Sequence, residues 1–147
     1  MDLQSILPPL NGPEFQAFAA GFPVLLAHVF ATLVMLVLGA TLYVVLTPWK
    51  EIDLIRDGNS AAAVAFGGVL RGLAVPLAAS LSASNSTVEI VIWGAATVIM
   101  QLLAFRVTDM VLAGLPERIR EGEVSAAVLL VAAKLATALV LAAAVTV

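Results

Sequence analysis

The chain has 147 residues, of which 62% are hydrophobic and 12% charged, and its mean hydropathy of +1.09 lies far outside that of a soluble domain. A formal net charge of -3 leaves no basic surface for nucleic acid, and the absence of cysteine excludes a disulfide framework, a thiolate metal site and a thiol redox centre. What remains is a membrane protein of single-domain size.

Residues 1–21 open the chain as a periplasmic or interfacial segment. Asp2 stands where a secretory leader would carry positive charge, and Pro8 with Pro9 interrupts any apolar run, so no cleaved leader is expected. "PEFQAFAAGF" can begin a short interfacial helix, with Pro13 in the first turn and Phe15, Phe18 and Phe22 at helical spacing, or it can be the front of the first span. Four runs then reach the ~20 apolar residues that a spanning helix requires. They cover about Phe22–Leu46, Ser60–Leu81, Val88–Leu112 and Val124 to the C-terminus. Each is too long for a barrel strand and lacks in/out alternation, so the fold class is all-α and polytopic.

Charge is unevenly shared among the connections. Lys50, Arg56, Arg118 and Arg120 lie in the links between spans one and two and between spans three and four, whereas "SASNST" and both ends have no Lys or Arg. The positive-inside rule puts those two links in the cytoplasm and both termini on the other side of the membrane.

The same two links repeat each other. "IRDGNSAAAV" from Ile55 returns as "IREGEVSAAV" from Ile119, and the ungapped match continues along the following span. The pattern predicts two tandem hairpins of one orientation, about 22–83 and 86–147, as a parallel repeat. Within it Gly58 and Gly122 permit a tight reversal at positive φ. Asn59 or Ser60 can cap the next helix, Asp57 and Glu121 lie at its positive end, and Arg56 and Arg120 suit an anionic inner leaflet.

The stretch "TPWKEIDLIRDGNSAAAVAFGGVLRGLAVPLAASL", followed by "WGAATVIMQLLAFR", resembles the bacterial membrane family known as domain-of-unknown-function family 350, the YjfL-like proteins. The resemblance extends over nearly the whole chain from Phe22. It implies a four-helix inner-membrane protein built from a tandem hairpin, and no activity. In the second copy Glu123 and Val124 replace the Asn-Ser pair, so a role resting on Asn59 does not carry over.

Inside the spans, Gly68, Gly72 and Pro76 form a small-residue stripe suited to close helix packing or a kink, and by that route to a homo-oligomer, a dimer being favoured. Arg71 and Lys134 lie ~16 Å and ~15 Å along their helices, near the bilayer centre. Arg106 and Asp109, three residues apart, are expected to pair with each other. Tyr43, Trp49 and Trp93 fit interfacial belts. His28 is a lone histidine in an apolar run and no metal site is expected around it.

No nucleophile with a base, no metal pair and no phosphate loop is present, so the residues give no enzyme and no cofactor. Two functions follow. One is an oligomeric channel or transporter subunit for a small ion, with an anion-favouring cavity lined by Arg71 and Lys134. The other is a non-transporting module in the lipid bilayer that docks an unidentified membrane partner through its cytoplasmic turns.

Overall fold

The computed structural model describes residues 12–48 and 50–146; residues 1–11, Trp49 and Val147 lie outside these. Six helices follow one another: α1 (Pro13–Leu46), α2 (Glu51–Arg56), α3 (Ser60–Ala83), α4 (Thr87–Val111), α5 (Leu115–Arg120) and α6 (Val124–Val145). No strand occurs among the described residues. The four long helices are each long and apolar enough to cross a bilayer, and the chain is an all-α polytopic membrane protein.

The observed spans match the expected ones within two residues at most ends. The exception is α1, which begins at Pro13, so the interfacial segment and the first span are one continuous helix. With 34 residues it is ~51 Å long, more than a hydrocarbon core requires. Its outer surface is apolar and exposed from Phe15 to Leu46, as a lipid-facing helix should be; Met35, Gly39 and Tyr43 are its buried residues, spaced four apart. Tyr43, expected in an interfacial belt, is instead 4% exposed in the interior. Trp93 does face outward.

The most extensive interface joins α3 to α6. The residues between them are small: Ala61, Ala62 and Ala65 meet Ala126, Ala127 and Leu130 in one core cluster. Lipid is as apolar as leucine, so backbone approach rather than hydrophobic burial selects such faces. Gly68 and Gly72 belong to this packing. A Cβ at Gly68 would lie 2.3 Å from a Val131 methyl, and one at Gly72 would lie 2.7 Å from the Phe105 ring. The stripe expected to mediate self-association is therefore covered within the chain, by α6 and α4, and offers no contact to a second copy. Pro76 is buried on the same face, and α3 runs through it unbroken.

The two charged links are more than turns. Each contains a six-residue helix, α2 or α5, that folds back against the bundle and buries side chains: Glu51 from α2, and Leu115, Pro116 and Ile119 from α5. The reversals that follow are built alike. Gly58 and Gly122 have φ of 87° and 90°; the Gly58 and Gly122 N–H groups donate to Ile55 and Ile119, both at 3.0 Å, and those of Asn59 and Glu123 donate to Leu54 and Arg118, both at 2.9 Å.

Caps distinguish the two. The Asn59 carboxamide accepts from Ala62 N at 2.9 Å and donates to the carbonyls of Ile119 and Arg120 at 3.0 and 3.1 Å, tying the first turn to the second. Glu123 makes no cap bond to the α6 backbone. It accepts instead from the Arg118 guanidinium and from Ser125, which hold its carboxyl down at about 2.

Candidate functional site

Lys134 is the natural starting point, because an ammonium in a hydrocarbon environment must be neutralised or reach water. It does the first. Its side chain is 1% exposed, and Nζ lies 3.0 Å from Asp109 Oδ1 and donates to Tyr43 Oη, also at 3.0 Å. The ion pair is close in distance but poorly angled for a hydrogen bond, which leaves Asp109 Oδ1 with capacity to accept another. The rings of Tyr43 and Phe105 complete the surroundings, with centroids 4.8 and 5.1 Å from the ammonium.

Tyr43 passes the network on, donating to Glu51 Oε1 at 3.1 Å. Glu51 sits on α2 and is 6% exposed, and its Oε2 has no partner. Burial pushes the Glu51 carboxyl above its usual range, against the opposing pull of the Lys134 charge and the Tyr43 bond. Beside these groups is an enclosed cavity of about 10 Å³, lined by Tyr43, Glu51, Asp109 and Arg120 among others, the volume of a single water. Two carboxyl groups thus share one ammonium. Proton occupancy is the natural way to balance such a site.

The cluster continues toward the opposite end of the bundle. Gln101 on α4 is fully buried; its Nε2 reaches the Lys134 carbonyl and Thr137 Oγ1, each at 3.5 Å, and its Oε1 has no partner. One helical turn further lies Thr97, 3% exposed, and across from it Ser80 of α3, 1% exposed with an unpartnered hydroxyl. Thr97 and Ser80 line a larger cavity at the end of the bundle remote from the charged turns.

Several expected residues stand elsewhere. Arg71 is exposed on the outside of the bundle and does not share an interior with Lys134. Their one-residue difference in repeat register puts them on different helix faces, only one of which is inside. Arg106 is also exposed, and the expected Arg106–Asp109 pair does not form, because Asp109 turns inward to Lys134. The four-carbon stem of Lys134 closes the difference in depth that a comparison of Cα heights leaves open. An anion-favouring cavity between two cations is therefore not what the interior contains.

Arg56, Asp57, Arg120 and Glu121 lie exposed at the turn surface. Arg56 pairs with Asp53 at 3.7 Å and Arg120 with Glu117 at 3.2 Å. Sequence reasoning missed Tyr43, Glu51, Gln101 and Ser80. One signal pointed to Glu51: the turn repeat aligns it with Leu115, a position whose second copy is apolar and buried.

A family model described as Domain of Unknown Function (DUF350) matches residues 17–145. The chain belongs to this family. Among its relatives, the UPF0719 inner membrane protein YjfL of Escherichia coli K12 is 31% identical over 93 residues, 63% of this chain and 70% of that protein. The UPF0719 transmembrane protein YshE of Bacillus subtilis 168 is 32% identical over 79 residues, 54% of this chain and 59% of that protein. No solved structure matches. Membership in DUF350 agrees with the four apolar helices, and the relatives' names give a membrane location and no activity.

Proposed function

We propose that this DUF350 protein is an inner-membrane proton-transfer unit, in which Lys134, Asp109 and Glu51 exchange protons at the cytoplasmic end of a buried polar line. One observation carries the reading. Buried or half-buried side chains that can hydrogen-bond a water recur at each level from Ser80 and Thr97, through Gln101 and Thr137, to Tyr43 and the titratable groups Lys134 and Glu51, in the part of a membrane protein where polar groups are most expensive. Where side chains are a helical turn apart, ~5.4 Å, the step needs an intervening water. The cytoplasmic assignment rests on Lys50, Arg56, Arg118 and Arg120. The matched turns support an origin as two tandem hairpins.

The test is proton flux into liposomes containing only the purified protein, driven by a potassium diffusion potential and followed with an internal pH dye. Flux above protein-free vesicles that Asp109→Asn reduces at least tenfold is expected. Equal flux from protein-free vesicles, or from Asp109→Asn, overturns the reading.

A second reading has its own support. Asn59 brings the two turns together, and Leu54, Asp57, Gly58, Arg120, Glu121 and Gly122 surround a shallow polar depression of about 380 Å³, a surface on which a cytoplasmic partner can dock. Retained flux after the exposed Asp57→Ala and Glu121→Ala changes separates this surface from the interior.

A further inference from the structure

At the end of the bundle remote from the charged turns, α3, α4 and α6 border a cleft of about 550 Å³, open on the side where Glu89, Trp93 and Met100 are exposed. That is the size of a small-molecule site. Glu89 is the one charged residue in its lining; around it stand Ser80, Trp93, Thr97, Met100 and Leu141. Glu89 Oε2 accepts from Asn85 N at 2.7 Å, which fixes the carboxylate at the rim, while Oε1 has no partner among the described residues. Ser80 is the second and independent feature. Its hydroxyl is buried, has no hydrogen-bond partner and borders the cavity, so it is free to bond with an occupant.

The one formal charge lining this cavity is negative. Both α3 and α6 end here, and neither has a basic residue in its last turn, so the negative ends of two helix dipoles are uncompensated. The opposing positive end, that of α4, is already used by its Ser86 cap and by the carboxylate of Glu89 on Asn85 N. An indole borders the same space, with methionine and leucine beyond it, and an aromatic face beside a carboxylate is the usual environment of an organic cation.

The geometry points to a binding site for an alkylammonium group. The cation is held by Glu89 and the face of Trp93, one N–H bonds to the Ser80 hydroxyl, and the alkyl part lies on Met100 and Leu141. An anion is repelled by Glu89 and meets no basic residue. The ammonium can come from a free amine on that side of the membrane or from an aminophospholipid headgroup. This site shares Ser80 and Thr97 with the proposed proton line but does not rest on that reading, because binding at equilibrium needs no flux.

A Trp49→Phe variant leaves Trp93 as the sole tryptophan and the reporter. In vesicles of phosphatidylglycerol alone, titration with butylammonium chloride is expected to change Trp93 fluorescence saturably, while sodium chloride and sodium butyrate do not. Glu89→Gln, which keeps an oxygen for Asn85 N and so keeps the start of α4, should weaken binding at least tenfold. Ser80→Ala should weaken it several-fold. Repeating the titration with increasing phosphatidylethanolamine identifies the source: competition that grows with the lipid assigns the headgroup, and an unchanged curve assigns the free amine. No saturable response in phosphatidylglycerol, an equal response to butyrate, or an unchanged affinity in Glu89→Gln overturns the site.

Discussion

At the scale of single residues, two cations at similar depth meet opposite surroundings. Lys134 is buried against Asp109, whereas Arg71 faces outward. Removing one partner of a buried pair leaves an uncompensated charge, at a cost of about 3–5 kcal/mol, while replacing both is far milder. Lys134→Met is therefore expected to lower resistance to denaturation in detergent by about that amount, and Lys134→Met with Asp109→Asn to recover most of it. Arg71→Leu should change stability by less than about 0.5 kcal/mol, as an outward-facing substitution does. Glu51 adds a pH dependence. Its folded carboxyl titrates above the ordinary value of 4.5 because burial disfavours the charged form. The folded state thus holds a proton that the unfolded chain has released, and stability falls as pH rises from that value through the raised one. Glu51→Gln should flatten this part of the stability profile, measured by thermal unfolding in detergent at a series of pH values.

At the scale of elements, glycine positions separate packing from tolerance. A Cβ at Gly68 meets both methyls and the Cβ of Val131 within 2.9 Å, while one at Gly67 meets nothing within 4 Å. Gly68→Ala should cost about 1–3 kcal/mol by overpacking α3 against α6, and Gly67→Ala should be neutral or gain up to about 1 kcal/mol of helix propensity; unfolding of the two variants side by side checks this. The spans themselves were legible because length and apolarity suffice to define them. The stripe of Gly68, Gly72 and Pro76 was legible as a packing face, since small residues at a spacing of four say that a backbone approaches. Which backbone approaches was not. In a membrane both the lipid side and the core side are apolar, so hydrophobicity carries no direction, and the sequence is equally consistent with a second copy or with α6. The short helices α2 and α5 were hidden for a related reason: "EIDLIR" and "LPERIR" are too short to show a period, and only their buried residues Glu51 and Ile119 reveal that they pack.

At the scale of the molecule, charge asymmetry gives an orientation that a chain without cysteine lets one test cleanly. Asn85→Cys in the uncharged turn should react with a membrane-impermeant maleimide added to intact spheroplasts, and Asp57→Cys should react only after lysis. The candidate site was half legible at this scale. Lys134 and Asp109 stood out as charges in apolar runs, but their partnership depends on how α4 and α6 face each other, and Tyr43 and Gln101 read as ordinary belt or span residues until the bundle closes around them. In the proposed proton path the two halves of the polar interior act as one, and Gln101 is where they meet. Gln101→Leu removes that junction, keeps the volume close to native and alters no charge. Proton flux measured in liposomes with this variant tests the path most directly. A fall of at least tenfold from the parent is expected, with insertion and helix content unchanged; flux equal to the parent's means that the two halves are not one path.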